Sequence, residues 1–350
     1  MQQRHLIKPK MENYKIMCVG NQNIPQASEQ TVSRDLVRQC HKVISFQYPT
    51  NGIENYTAIN KQLTKKIEIE KPDFVLCHKC PGLSNEDINN IRRKLKTPVV
   101  SWNFDLFNGY VADFKPENYI FQRRINSYEQ QISAYDVAFG AEAGKKEIDR
   151  YRDEDGANYH PLKLGADPEW FNKIPDYDTE IHKLNCDVSF LGSIYNRLRK
   201  QMNTKLLSIP NISYKQFTGY KIRGIVQPEI FMKDISKFAN VCKISIGCNY
   251  RNDVEGYWSK RCYELMGANH FMIQAHVKGM KKEGFKHKKN TVFYYDDDFE
   301  EMTELIQYYL DNEKERNKIR EQGFKLIREK HLQSNRTKDF FKTLKKEGVI

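Results

Sequence analysis

The chain has 350 residues, 39% of them hydrophobic and 29% charged, and 57 Lys and Arg against 45 Asp and Glu leave a formal charge of +12. That mix excludes a disordered chain, and no run approaches the ~20 apolar residues a membrane span needs. Eight irregularly spaced Cys and an N-terminus without an apolar stretch argue against a disulfide scaffold or a secretory leader, so the expectation is a soluble, cytoplasmic chain of about two domains.

In chain order, residues 1–12 are polar and expected to be loose. Tyr14–Gly20 reads as a buried strand ending on a glycine turn, 29–40 as a helix and His41–Phe46 as a second strand. Ile59, Leu63 and Ile67 recur every fourth residue, which predicts a helix that Pro72 ends. Phe74–Cys77 is the next apolar strand. Ser84 with Asp87 forms a helix-start box ahead of Ile88, Ile91 and Leu95. Pro98–Trp102 reads as a strand, Tyr119–Ala134 as a helix and Asp136–Gly140 as a strand. The alternation then restarts with strands at Asp187–Gly192, Lys243–Gly247, His270–Gln274 and Val292–Tyr295, and with helices at Asn196–Leu207, Glu300–Leu310 and Glu313–Glu329. Strands alternating with helices of this length predict α/β architecture: two Rossmann-like halves with parallel sheets, joined near Leu164–Phe171. Ligands of such sheets sit beyond the carboxyl ends of the strands, which selects the loops after Val19, Cys77, Trp102, Leu191, Gly247 and Gln274.

No G-x-G-x-x-G follows the first strand, where Gly20-Asn21-Gln22-Asn23 stands, and there is no G-x-x-x-x-G-K-[ST]. Dinucleotide and P-loop readings lose their support. Cys77-His78-Lys79-Cys80 is an unmatched C-x-x-C, read as incidental thiols. Lys278, Lys281, Lys282, Lys286, Lys288 and Lys289 form a basic run that is either a solvated loop or a contact for a phosphate backbone. The densest stretch is Asn249 to Ala268, which leaves a strand through a polar loop and enters a helix carrying Arg261 and Glu264. Helix N-termini attract phosphate, and arginine can hold a diphosphate bidentately. The same i, i+3 spacing also fits a structural salt bridge.

Ser259-Lys260-Arg261-Cys262-Tyr263-Glu264, with Gly267-Ala268-Asn269-His270-Phe271, resembles the S-x-R-x-x-E-x-x-x-x-G-G-F segment of group 1, CgeB-like glycosyltransferases and their phage relatives. The usual glycine pair is replaced here by Asn269-His270. Asp187 to Ser193 resembles the opening of that family's second domain, Gly165 to Phe171 its linker, and Ser101 to Asp105 its W-x-x-D strand end. Tyr308-Tyr309-Leu310 with Arg316, Gly323 and His331 resembles its tail. The resemblance spans roughly residues 95–335. It implies a GT-B fold with two facing Rossmann-like domains, the donor in the second and the acceptor mainly in the first. It also implies a last helix, Asn335–Lys346, crossing back to the first domain. The expected domains are 13–163 for the acceptor and 164–332 for the nucleotide sugar, with 333–350 as the returning segment.

In this reading Arg261 and Arg197 hold the diphosphate, Gly192 and Ser193 offer backbone N–H groups, and Glu264 binds ribose. Asn249 belongs to the donor loop. Tyr257 or Trp258 packs on base or sugar, or else in the core. Trp102 and Asn103 border the acceptor, and Asp105 is either the catalytic base or a turn cap. No D-x-D stands at a strand end, so no metal or other cofactor is expected beyond the nucleotide sugar, most simply a UDP-sugar; Asp296 to Asp298 reads as an N-cap cluster. The acceptor alternatives are hydroxymethylated pyrimidine in double-stranded DNA, which the positive charge fits, and a polysaccharide, spore-surface or small-molecule hydroxyl. A non-catalytic protein binding nucleic acid or nucleotide sugar is the remaining reading. No membrane partner is expected.

Overall fold

The computed structural model describes residues 12–24, 27–49, 55–105, 130–175, 180–194, 196–217, 226–227, 230, 232–295 and 297–350. Two six-stranded sheets, all of their pairs parallel, organise it. The first contains β1 (Lys15–Gly20), β2 (Lys42–Gln47), β3 (Phe74–Cys77), β4 (Val99–Trp102), β5 (Val137–Gly140) and β6 (Tyr159–Pro161), in the spatial order β2-β1-β3-β4-β5-β6. The second contains β7 (Cys186–Leu191), β8 (Tyr214–Phe217), β9 (Val226–Gln227), β10 (Cys242–Gly247), β11 (Met272–Ala275) and β12 (Val292–Tyr294), in the order β12-β11-β10-β7-β8-β9. Phe74–Cys77, Val99–Trp102 and Val137–Gly140 are buried at every position, as strands covered by helices on both faces must be.

Local chemistry sets the helix ends. The helix α1 (Ser28–Arg38) follows β1, and α2 (Tyr56–Glu70) stops at Lys71, which takes a left-handed turn just before Pro72. The helix α3 (Asn85–Lys94) begins with the full Ser84–Asp87 capping box. In the second domain α5 (Arg197–Ser208) starts at Asn196, whose side chain accepts from the Arg199 N–H at 2.9 Å. The short α4 (Lys145–Asp149), α6 (Lys233–Phe238) and α7 (Arg261–Gly267) are followed by the long α8 (Glu300–Asp311), α9 (Glu313–Lys330) and α10 (Gln333–Lys346).

The helix α10 leaves the second domain and packs into the first. Phe340 and Leu344 are fully buried in the core under β1, β3, β4 and β5, and Phe340 stacks on Trp102 with centroids 5.3 Å apart. The two crossing points of the chain lie side by side: Ala166 N–H donates to His331 O, and Gln333 N–H donates to Ala166 O, both at 2.9 Å. A β-carbon on Gly165 would stand 2.5 Å from Gln333 N, so only glycine allows this approach. Beside it, Arg34 and Arg38 of α1 pair with Asp167, which is fully buried, at 3.2 Å each.

Strand positions expected from the sequence agree with these to within one or two residues. Five short elements had no sequence signal: β6, β8, β9, α4 and α6. The expected helix Tyr119–Ala134 lies outside the described residues up to 129, as do residues 1–11 and Asp296; residues 132–134 form a single 3₁₀ turn.

Candidate functional site

Each sheet reverses its strand order once. In the first the reversal falls between β1 and β3; in the second it falls between β7 and β10. At such a point the crossover connections leave toward opposite faces, and a crevice opens beyond the carboxyl ends of the strands. Gly20 and His78 mark the first crevice, Gly192 and Cys248 the second.

The second crevice is lined by Leu191, Gly192 and Phe217 at the ends of β7 and β8 and by Lys260, Arg261 and Glu264 of α7, with an empty volume of about 780 Å³. Thr31 of α1 reaches it from the other domain, so this cavity lies between the domains. Arg261 and Glu264 do not pair with each other. Glu264 instead takes Lys260 Nζ at 2.6 Å. The Arg261 guanidinium lies 5.3 Å over the Phe190 ring, and no carboxylate among the described residues is within ion-pair distance of it. Burial, and then the charge of Arg199, push its pKa down to about 10. The Arg261 charge is therefore left without a partner in contact with it among the described residues.

Arg199, not Arg197, is the arginine of α5 that turns inward. The Asn196 cap fixes the helix phase, leaving Arg197 exposed while Arg199 is 6% exposed. Arg199 donates from Nε to Cys248 O and from Nη1 to Ser193 O, both at 3.1 Å, tying the ends of β7 and β10 together. Ser193 thus sits in a braced turn beside Gly192. Asn249 uses its side chain internally, accepting from Ser259 N–H at 2.9 Å and donating to Asn252 at 3.2 Å, which shapes the loop into α7.

Tyr257 and Trp258 do not line the cavity. Trp258 is 3% exposed in the second domain's core, with Nε1 donating to Tyr263 OH at 2.9 Å. Tyr257 packs with Tyr250 against Tyr151 and Tyr159 of the first domain, so the loop serves as an interdomain contact. The core alternative holds for both because each ring finds apolar neighbours, and the indole N–H a partner, inside the protein. Trp102 is core as well: it is fully buried, Nε1 donates to Leu162 O at 2.9 Å, and α10 covers it.

The first crevice holds a polar cluster of which the sequence reading named Asn103 alone as a site residue. His78 is fully buried directly after β3; its Nδ1 lies 2.9 Å from Trp102 O, which makes Nδ1 the protonated nitrogen. Among the described residues its Nε2 has no hydrogen-bond partner, and neither do Glu29 Oε1, Gln22 Nε2 and Asn103 Oδ1. A β-carbon on Gly20 would meet both His78 and Glu29, so the two side chains flank one point. Burial holds the imidazole below its usual range, despite the opposing charge of Glu29. Asp105 pairs with Lys79 Nζ at 2.9 Å. Cys77 and Cys80 are buried free thiols. Among the described residues no group of three His, Cys, Asp or Glu is placed to hold a metal ion, and no helix is long and apolar enough to cross a membrane.

Residues 191–342 match the family model described as glycosyl transferase-like. The matched domain is that of a sugar-transferring enzyme, and the fold around it is the GT-B fold. Among solved structures, the chain is similar to sucrose-phosphate synthase from Thermosynechococcus elongatus (TM-score 0.69, 7% identity, 95% of this chain and 98% of that one). It is also similar to HepE from Anabaena in complex with UDP-glucose (TM-score 0.65, 11% identity, 95% and 100%). UDP-GlcNAc 2-epimerase from Neisseria meningitidis shares the fold at TM-score 0.55, 13% identity and 95% and 100% coverage. None of the curated proteins compared with the chain matches it.

Proposed function

We propose that the protein transfers a sugar from a nucleotide diphosphate sugar, most simply a UDP-sugar, to an acceptor hydroxyl. The observation that carries this is the half-buried Arg261, which has no carboxylate partner among the described residues and lines an interdomain cavity together with Glu264. Arg261 takes the diphosphate and Glu264 the ribose hydroxyls. Arg199 holds the Ser193 turn in place and adds positive field. HepE, of the same fold, was solved with UDP-glucose, which supports the choice of donor.

The reaction has two charge movements. The bond from the anomeric carbon to the diphosphate breaks, its electron pair leaves on the phosphate oxygen, and Arg261 stabilises that charge. The new bond forms to the acceptor oxygen, whose proton must go to a base. His78 Nε2 suits that role better than Asp105: it carries a free lone pair at the carboxyl end of β3, whereas Asp105 is engaged by Lys79. Glu29, Gln22 and Asn103 supply further unpaired polar atoms for a hydroxylated acceptor.

The acceptor reading that the charge favours is hydroxymethylated pyrimidine in DNA. The exposed lysines 281, 282, 286, 288 and 289 follow Lys278, which pairs with Glu255 of the loop docked on the first domain. A glycan or small-molecule hydroxyl is the alternative. Incubation with UDP-sugars and hydroxymethylcytosine DNA tests both levels. A hexose or pentose mass gain on DNA supports the full reading, and UDP release without DNA gain supports transfer to another acceptor. Epimerisation of the donor with no UDP release would overturn transfer.

A further inference from the structure

A second cavity opens at the seam between the domains, with an empty volume of about 1080 Å³ and no lining residue in common with the donor cavity. Phe139 and Leu162 form its apolar wall in the first domain; Glu283 comes from the second, and α10 supplies Arg336 and Lys342. Lys163 lines it as well. This lysine is only 8% exposed, yet its ammonium makes no hydrogen bond or ion pair among the described residues; it lies 4.3 Å over the Trp258 ring. Burial pushes its pKa down to about 8. Arg336 donates to His331 Nδ1 at 2.7 Å and reaches Glu283 Oε2 at 3.4 Å, while its Nε is buried without a partner. Lysines 342 and 346 stand at the mouth with Asp339, so four cations face two carboxylates.

A largely buried ammonium with no carboxylate in contact is costly, and the Glu283 charge acts on it only from beyond ion-pair distance. We propose that this seam cavity is a binding site for a phosphate monoester, with Lys163 and Arg336 taking the phosphoryl oxygens and Phe139 and Leu162 packing the organic body. Two buried cations backed by two flexible ones suit a dianion better than a single carboxylate. The site goes beyond sugar transfer and does not depend on it. Its position gives it a consequence: the Arg336 guanidinium lies 5.5 Å over the ring of Tyr263, on the helix that carries Arg261. An occupant would touch both domains, and Arg336 would connect it to that helix.

Calorimetric titration of the full chain with phenyl phosphate and with inorganic phosphate tests this, using the wild type, Lys163→Met, Lys342→Ser and Arg261→Ala. The expected result is saturable binding below ~10 mM, tighter for phenyl phosphate. Lys163→Met should weaken it about tenfold or more and Lys342→Ser about two- to threefold, and Arg261→Ala should leave it unchanged. Thermal unfolding checks that Lys163→Met is folded; if it is not, Lys342→Ser decides. No binding to the wild type, wild-type affinity in Lys163→Met or in the deciding Lys342→Ser, or loss of binding in Arg261→Ala would each overturn the proposal, the last by placing the phosphate in the donor cavity.

Discussion

The Arg261 guanidinium occupies the space where a side chain on residue 192 would begin: a β-carbon on Gly192 would stand 2.5 Å from Arg261 Nη2 and 2.9 Å from Cζ. Gly192 also has φ near +147°, a conformation that disfavours other residues. The glycine therefore fixes where the arginine can lie. Gly192→Ala should fold, since the clash is with the tip of a flexible side chain, but should displace the guanidinium. Affinity for UDP should drop about tenfold or more, read by calorimetry. Unchanged affinity would separate Gly192 from the donor site.

Arg261 and Glu264 have separable roles. Arg261→Ala removes the charge on the leaving group and should lower kcat and kcat/KM together by about a hundredfold or more. Glu264→Gln keeps the shape but weakens hydrogen bonds to ribose, so its cost should fall mainly on the KM for donor, by about tenfold. Steady-state kinetics with varied UDP-sugar distinguishes the two patterns. Equal and purely structural losses in both variants would count against the assignment.

Because the Nδ1 hydrogen of His78 is committed to Trp102 O, Nε2 is the site that gains or loses a proton. Burial lowers its pKa, so the base form extends further into acid than for a free imidazole. Activity should be constant at neutral pH and fall on the acid side, with a midpoint below the usual histidine range. His78→Gln should lose that acid limb as well as most of the rate, about a hundredfold or more. A surviving acid limb in His78→Gln would return the role of base to another group, Asp105 first.

The doubly wound halves were legible because the buried parallel strands are short, continuous apolar runs between polar caps. Ser84–Asp87, Asn196 and Pro72 punctuate helices through local hydrogen bonds or sterics that need no tertiary context. Tyr214–Phe217 was not legible: only Gln216 and Phe217 are buried, and its half-polar pattern is stabilised by pairing with β7. Arg261, Glu264 and Gly192 stand out in the sequence by spacing, by the glycine at a strand end and by the family resemblance, and the fold brings all three to one cavity. The sequence reading names Arg197 and does not weigh Arg199, the third helical residue after the Asn196 cap, which the fold turns inward. His78 was hidden within a C-x-x-C, and its signal is a polar residue directly after a wholly apolar strand. Tyr257 and Trp258 carried no mark that separates a ligand-facing ring from a core ring, because that choice depends on which domain surface the loop meets.

The seam also makes stability depend on pH in a defined direction. His331 donates from Nε2 to Glu283 O at 2.8 Å and accepts from Arg336 at Nδ1, so both ring nitrogens are used only while the imidazole is neutral. Burial, then the Arg336 charge, bring its pKa down to about 4. Between the unfolded value near 6.5 and that folded value, the unfolded chain binds the proton and the folded chain does not. Folding stability should therefore be constant above about pH 7 and decline as pH falls toward 4, by up to about 3 kcal/mol from this residue. Glu283, held below its usual range by Lys163 and Arg336, adds its own loss only at the acid end of that window. Urea midpoints at several pH values from 7.5 to 4 measure the slope. His331→Gln should be less stable at neutral pH, having lost geometry, but its stability should change less between pH 6.5 and 5. A slope identical to wild type over that interval would assign the acid sensitivity to other groups.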